Sequence, residues 1–374
     1  MCGSTMNFYR ERIYLCIRLV SVHSFFPLSF NYSPMGLLGQ LKNKVLTVKE
    51  QLLPTTDFDT ATLPWIDLPD ADIAAFAQRF QPRFPLTFNL EEKLHFWQKN
   101  GYVILENVIP QSLIDAYWAD VEELLAYPEK YKLIARIDLP KFEPIQQRII
   151  KDFPREDLKG KYVKLNDFHQ LSETGKNLMT HPAIVNFLEA IFQQQVVVMQ
   201  SLTFMFGSQQ PSHQDFPWVT AKIASHLAAA WIPLEDITAD SGPLYYYVGS
   251  HKLPKFNFGN GILSNARSTR HPLEFANYLD TQCPAHGHER KTLLIKRGDV
   301  LIWHAALAHG GGLITNPDST RKSYVCHYST EQALPFHRYN PHATPVVQEY
   351  HGVQIYQHPE FGDQENILKA TPIS

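Results

Sequence analysis

Val196-Val197-Val198-Met199 opens a nearly unbroken series of strand-like segments, and that series decides the fold. Leu202 to Phe206, Trp218 to Leu227, Ala229 to Leu234, Leu244 to Val248, Val300 to Trp303 and Lys322 to Tyr328 follow, each short and bounded by turn residues. Many short strands without alternating helices describe a sandwich or jelly roll rather than βα units. Upstream the period changes. Asn89 to Trp97 reads as a capped amphipathic helix stopped by Asn100-Gly101, and Tyr102-Val103-Ile104-Leu105 as a short strand. Pro110 opens a second helix through Leu125, and Ala183 to Phe192 is a third. The chain is therefore mainly β with flanking helices.

Within the strand series lies His213-Gln214-Asp215. In an extended segment, side chains two apart share a face, so His213 and Asp215 can reach one ion while Gln214 points away. His309 is the expected third ligand, because it follows the strand Val300 to Trp303 and is trailed by Gly310-Gly311-Gly312, where the backbone can come close to a ligand. His304 is the alternative, but its place at an apolar strand end suits a packed core histidine better. Two imidazoles and one carboxylate on one face of an octahedron suit non-haem Fe(II) and leave positions open for a cosubstrate and oxygen. Arg321 lies 12 residues beyond His309, where a guanidinium fork can take the far carboxylate of a keto-diacid in two parallel hydrogen bonds.

Other donors read as structural. His226 and His251 suit a packed core, and Asp299 a turn. Cys283-Pro284-Ala285-His286-Gly287-His288 gathers soft and imidazole donors that could bind zinc, but no fourth ligand is evident and a loop is the better reading. Tyr245-Tyr246-Tyr247 alternates faces, so some rings border a pocket and others pack outside.

The whole chain of 374 residues is long enough for one large β domain with extensions. A formal charge of -3 gives no basic excess for nucleic acid. Four scattered cysteines, Cys2, Cys16, Cys283 and Cys326, make neither a disulfide framework nor a C-x-x-C pair, so a reducing cytoplasm is expected. Residues 1–34 are basic and interrupted by Arg18, Ser21, His23 and Pro27, too broken to span a bilayer; they read as a targeting peptide or as a start assigned too early, with Met35 the alternative. Residues 35–84 form an irregular lead-in that begins with helical spacing over 36–52. Residues 85–331 form the β domain, 250–297 within it a lid, and 332–374 a C-terminal extension.

The order and spacing of several motifs resemble the phytanoyl-CoA dioxygenase family of Fe(II)- and 2-oxoglutarate-dependent oxygenases. They are Phe96-Trp97-Gln98-Lys99-Asn100-Gly101-Tyr102-Val103, His213-Gln214-Asp215, Ala230-Trp231-Ile232-Pro233-Leu234, Ser241-Gly242-Pro243-Leu244, Gly249-Ser250-His251, and Gly298-Asp299 through His309-Gly310. The likeness runs from about Phe84 to Tyr328. It implies a double-stranded β-helix (a cupin-like jelly roll), with His213, Asp215 and His309 as iron ligands and Arg321 on the cosubstrate carboxylate. By the same resemblance Lys164, in Lys164-Leu165-Asn166-Asp167-Phe168, enters that pocket, and Gln214 and Trp231 line it. O2 is the second cosubstrate.

The chain departs from the family in two places. His309-Gly310-Gly311 stands where His-Gly-Ser is common, and Trp218 where many relatives have tyrosine. Asp215 is present, against a halogenase, so hydroxylation of a C–H bond in a small organic substrate is expected. Arg267, Arg270, His271, Arg290 and Lys291, with Phe256, Phe258 and Phe275, would suit a substrate with an anionic head and an apolar body. A solvated loop is the plainer reading. Two rival functions use the same shape: a metal hydrolase or isomerase, and a binding protein without turnover.

Overall fold

The computed structural model describes residues 56–131, 133–137, 147–152, 163–219, 221–334 and 345–357; the segments expected at 1–34 and 36–52 lie outside them. In chain order the helices are α1 (Ile73–Arg79), α2 (Leu90–Asn100), α3 (Gln111–Ala126), α4 (Glu173–Met179), α5 (Pro182–Phe192) and α6 (Pro272–Ala285). The strands are β1 (Tyr102–Leu105), β2 (Ile134–Ile137), β3 (Gln147–Ile149), β4 (Val163–Asn166), β5 (Val196–Phe204), β6 (Ala228–Pro233) and β7 (Leu244–Tyr247). They continue with β8 (Arg290–Thr292), β9 (Val300–His304), β10 (His309–Gly311), β11 (Ser323–Thr330), β12 (Val347–Tyr350) and β13 (Val353–Tyr356).

Two sheets form a jelly roll. The larger runs β1-β9-β6-β11-β5-β4-β2-β3, with β13 parallel to β5 and β12 paired to β13; the smaller runs β10-β7-β8. Period-two alternation splits the large sheet into two faces. Val103, Leu105, Ala228, Ala230, Ile232, Val300, Ile302, Tyr324, Cys326 and Tyr328 join the core under α2, α3, α4 and α5. Their neighbours Tyr102, Ala229, Trp231, Leu301, Trp303 and Val325 pack with Leu244 and Tyr246 of the small sheet. The site sits on this second, inner face.

Local chemistry sets the elements. Asn89 caps α2 by accepting from Glu92 N at 3.2 Å, and Gly101 ends it with φ 77°, a left-handed turn that points β1 into the sheet. Helix α5 is apolar around most of its circumference because it is covered on most sides: the sheet lies beneath it, and the lead-in is tied over it by Trp65 Nε1 on the Ala190 carbonyl and by Arg83 with Glu189.

Three expectations change. Trp218 to Leu227 is not a strand: the chain turns after Asp215, whose carbonyl accepts from Trp218 N and Val219 N at 2.9 and 2.8 Å. Val219, Ile223 and Ala224 then pack around Phe216. The segment 250–297 is not a structureless loop, because it contains α6, opened by a capping box between His271 and Glu274 with Pro272 in the first turn. Phe256, Phe258 and Phe275 are buried against Tyr245, Tyr247, Leu279 and Cys283, so they supply a core and not an apolar surface. The extension after Glu331 adds the β12–β13 hairpin to the large sheet.

Candidate metal centre

His213 and His309 are paired directly across two backbones: His213 N donates to His309 O at 2.8 Å, and His309 N to His213 O at 2.9 Å. Asp215 N donates to Ala305 O at 2.9 Å, which fixes the third residue to the turn after β9. Only His213 of the triplet is bridged, so the expected strand is one residue long, yet the side chains converge. Asp215 Oδ1 lies 3.9 Å from His213 Nε2 and 3.7 Å from His309 Nε2. All three donor atoms lie within 4.8 Å of one another, the only such group of three among the described residues. Neighbouring donors of an ion with bonds of about 2.1 Å sit about 3 Å apart, so a small inward movement suffices.

The imidazole tautomers are set by the backbone. His213 Nδ1 lies 2.9 Å from Pro211 O and His309 Nδ1 3.0 Å from Leu307 O; each Nδ1–H donates, and each Nε2 faces the Asp215 carboxylate. Burial, with His309 and His327 nearby, pushes the His213 pKa down to about 4 despite Asp215, so its ring is neutral near pH 7. Burial alone would raise the Asp215 pKa. The rings of His309, His327 and His213 and the hydrogen bond from His327 outweigh it, and the net shift is downward. A buried carboxylate with two imidazole nitrogens turned toward it suits a cation.

Arg321 is 3% exposed. Its Nη1 donates to Gly242 O at 3.2 Å, its Nε has no hydrogen-bond partner, and no carboxylate pairs with it among the described residues. The guanidinium lies 5.7 Å from the Trp231 ring and 5.9 Å from Phe204. Burial lowers its pKa to about 10, so it stays charged. Lys164 stands on β4 directly opposite Phe204, which is opposite Ser323, and so belongs to the row beside Arg321. A buried cation without a counter-charge suits an anionic ligand, and the three-donor face suits a divalent ion beside it.

Gln214 is buried, and its amide nitrogen donates to Ala306 O at 2.5 Å. It ties the triplet to the turn bearing Ala305. His304 is buried, with Nδ1 accepting from Ala306 N at 2.9 Å and Nε2 3.3 Å from Asp67, and so is a packed histidine. His226 is buried against Thr62 and Thr330, and Asp299 caps a turn for Asn107 N and Lys296 N. His286 and His288 bond to the Gln282 and Val248 carbonyls, which leaves no zinc group around Cys283.

Two residues of the site were not singled out in the sequence. Trp303 Nε1 donates to Asp215 Oδ2 at 2.7 Å, and His327 Nε2 lies 3.5 Å from the same oxygen. The available signal was alternation, which puts Trp303 with Leu301 and His327 with Val325 on the inner face.

A jelly roll with this donor face and a solitary buried guanidinium belongs to the Fe(II)- and 2-oxoglutarate-dependent oxygenases, enzymes that use O2 as second cosubstrate. Within them the chain is a member of the phytanoyl-CoA dioxygenase (PhyH) family, whose profile matches residues 97–323. It is 24% identical over 262 residues to a Caenorhabditis elegans "Probable phytanoyl-CoA dioxygenase", covering 64% of this chain and 75% of that one. To the human "Phytanoyl-CoA dioxygenase, peroxisomal" it is 21% identical over 267 residues, covering 68% and 72%. The crystal structure of EctD from S. alaskensis with 2-oxoglutarate and 5-hydroxyectoine shares the fold, at TM-score 0.51 and 14% identity over 85% of this chain and 99% of that one. No helix among the described residues is long and apolar enough to cross a membrane.

Proposed function

We propose that His213, Asp215 and His309 hold Fe(II), that Arg321 takes the distal carboxylate of 2-oxoglutarate, and that the enzyme hydroxylates a C–H bond of a small organic substrate. The buried, unpaired guanidinium of Arg321 carries this reading, since a hydrolase or isomerase has no use for a keto-acid anchor. With Fe(II), 2-oxoglutarate and O2 bound, the centre would supply the oxidant for that C–H bond, one oxygen atom of O2 entering the hydroxyl group and the other the succinate formed with carbon dioxide. The protein's own residues do the rest. Two imidazole ligands and one carboxylate would leave a bound divalent ion with net positive charge, which would favour the anionic keto-acid. Trp231 and Phe204 keep water from the Arg321 guanidinium, which strengthens its hold on a carboxylate. Trp231, Lys164 and Gln214 are proposed to line the cosubstrate pocket, Gln214 also tying the triplet to the Ala306 carbonyl.

The basic residues proposed for an anionic substrate head have other contacts in the structure. Arg270 pairs with Glu274, Lys291 with Glu289, Arg290 lies over the Tyr245 ring and His271 caps α6. For location we propose a reducing compartment, the cytoplasm; fractionation of the tagged full chain separates this from the organelle in the human relative's name.

Succinate formation is the test. The full chain, loaded with Fe(II) and given 2-oxoglutarate, air and a panel of small organic acids and lipids, is expected to release succinate in step with substrate loss. Substrate turnover that continues without 2-oxoglutarate would favour a hydrolase.

A further inference from the structure

The Asp215 carboxylate is held from behind. Its Oδ2 accepts Trp303 Nε1–H at 2.7 Å and has His327 Nε2 at 3.5 Å, while Oδ1 faces His213 and His309. Both rings come from one cross-strand row: Trp303 on β9 is opposite Ala229 on β6, Ala229 is opposite His327 on β11, and His327 is opposite Gln200 on β5. Ala229 offers only a methyl group between two large rings, so both can lean toward one oxygen. The register of β11 against β5 shifts immediately after His327, a bulge of the kind that re-aims a side chain beside a site.

The proton on His327 is placed by Gln200, whose Nε2 lies 3.2 Å from His327 Nδ1. An amide nitrogen can only donate, so Nδ1 accepts and the ring hydrogen stands on Nε2, toward Oδ2. That Nε2 is buried, with the side chain 4% exposed, and has no hydrogen-bond partner of normal geometry among the described residues. A buried donor without another partner is costly, and Oδ2 is the acceptor within reach.

We propose that Trp303 and His327 are positioning residues that hold Oδ2 of Asp215 and so fix this carboxylate as a one-oxygen ligand through Oδ1. The inference rests on the reading of Asp215 as a metal ligand. A free carboxylate can turn and bind through both oxygens, which would fill a coordination position that the reaction needs open. Two N–H donors on Oδ2 remove that freedom before the ion arrives, and the rigid sheet beneath keeps them in place.

Anaerobic Mn(II) titration of the full chain tests this without turnover, with melting temperatures as the control for folding. Wild type is expected to bind and His309→Ala to fail. His327→Leu and Trp303→Phe should each weaken binding about tenfold or more, whereas His327→Gln, which keeps an N–H donor, should stay within about threefold of wild type. Equal affinity for wild type, His327→Leu and His327→Gln, with His309→Ala still unable to bind, would overturn the positioning role and leave the ligand reading intact. Equal affinity for wild type and His309→Ala would overturn both. Should Trp303→Phe not fold, the two His327 variants decide alone.

Discussion

At the scale of single residues, charge without a partner is the informative feature. Arg321 is buried, and neither a carboxylate nor a hydrogen bond to Nε offsets its desolvation among the described residues. Two charge-assisted hydrogen bonds to a bound carboxylate, each contributing roughly 1.5–3 kcal/mol, would repay that cost. Arg321→Ala should therefore raise the KM for 2-oxoglutarate by about 100-fold while leaving Mn(II) affinity near wild type. An unchanged KM would remove Arg321 from the cosubstrate pocket. Gly311 makes a second case. A Cβ there would meet Gln209 N at 2.6 Å and Ser208 Oγ at 2.7 Å, so a serine at this position has no room unless those neighbours shift. Gly311→Ser should displace the 208–210 segment and cost about 1–3 kcal/mol in urea denaturation, with a raised 2-oxoglutarate KM. A stabilised variant with a lower KM would show that the segment yields freely.

At the scale of elements, legibility followed the strength of local signals. Helices α2, α3 and α5 and strands β1, β6, β7, β9 and β11 stand where caps and alternation put them. Strand β10 is three residues of His-Gly-Gly, without side chains enough to show a period, and its existence depends on pairing with β7. Helix α6 did carry a signal: Phe275, Leu279 and Cys283 are four apart and buried, behind a Pro272 start. Glycines and prolines around it made the stretch look like a loop. The α5 cap gives an element-level prediction. His181 Nδ1 accepts from Ala183 N at 3.4 Å, and burial pushes its pKa down to about 4. The unfolded chain, with histidine near 6.5, takes the proton first as pH falls. The contribution of His181 to stability is thus fully present above about pH 6.5 and lost as pH falls toward about 4. His181→Asn keeps an acceptor at the cap and removes the proton site, so its melting temperature should drop less than wild type's between about pH 7.5 and about pH 5. Equal drops would place the acid sensitivity elsewhere.

At the scale of the whole molecule, the three residues proposed as ligands were legible because an H-x-D triplet and a later histidine after a strand form a short code in the chain, and the structure brings their donor atoms within 4.8 Å of one another. What surrounds them was not. Trp303 and His327 meet at Asp215 only because β9, β6 and β11 pair in a particular register, and register over a hundred residues leaves no mark in any local stretch. The same holds for Gln214, which alternation turned away from the ion but only tertiary contact could assign to the Ala306 carbonyl. The fold brings a cation-seeking face and an anion-seeking guanidinium into one interior. Anaerobic titration of the full chain with Fe(II) and then 2-oxoglutarate, followed by visible absorption, tests that pairing most directly. A weak charge-transfer band should saturate at about one equivalent of iron, be absent from His309→Ala, and need far more 2-oxoglutarate in Arg321→Ala. A wild-type band that persists undiminished in His309→Ala, or no band from folded wild type at all, would contradict it.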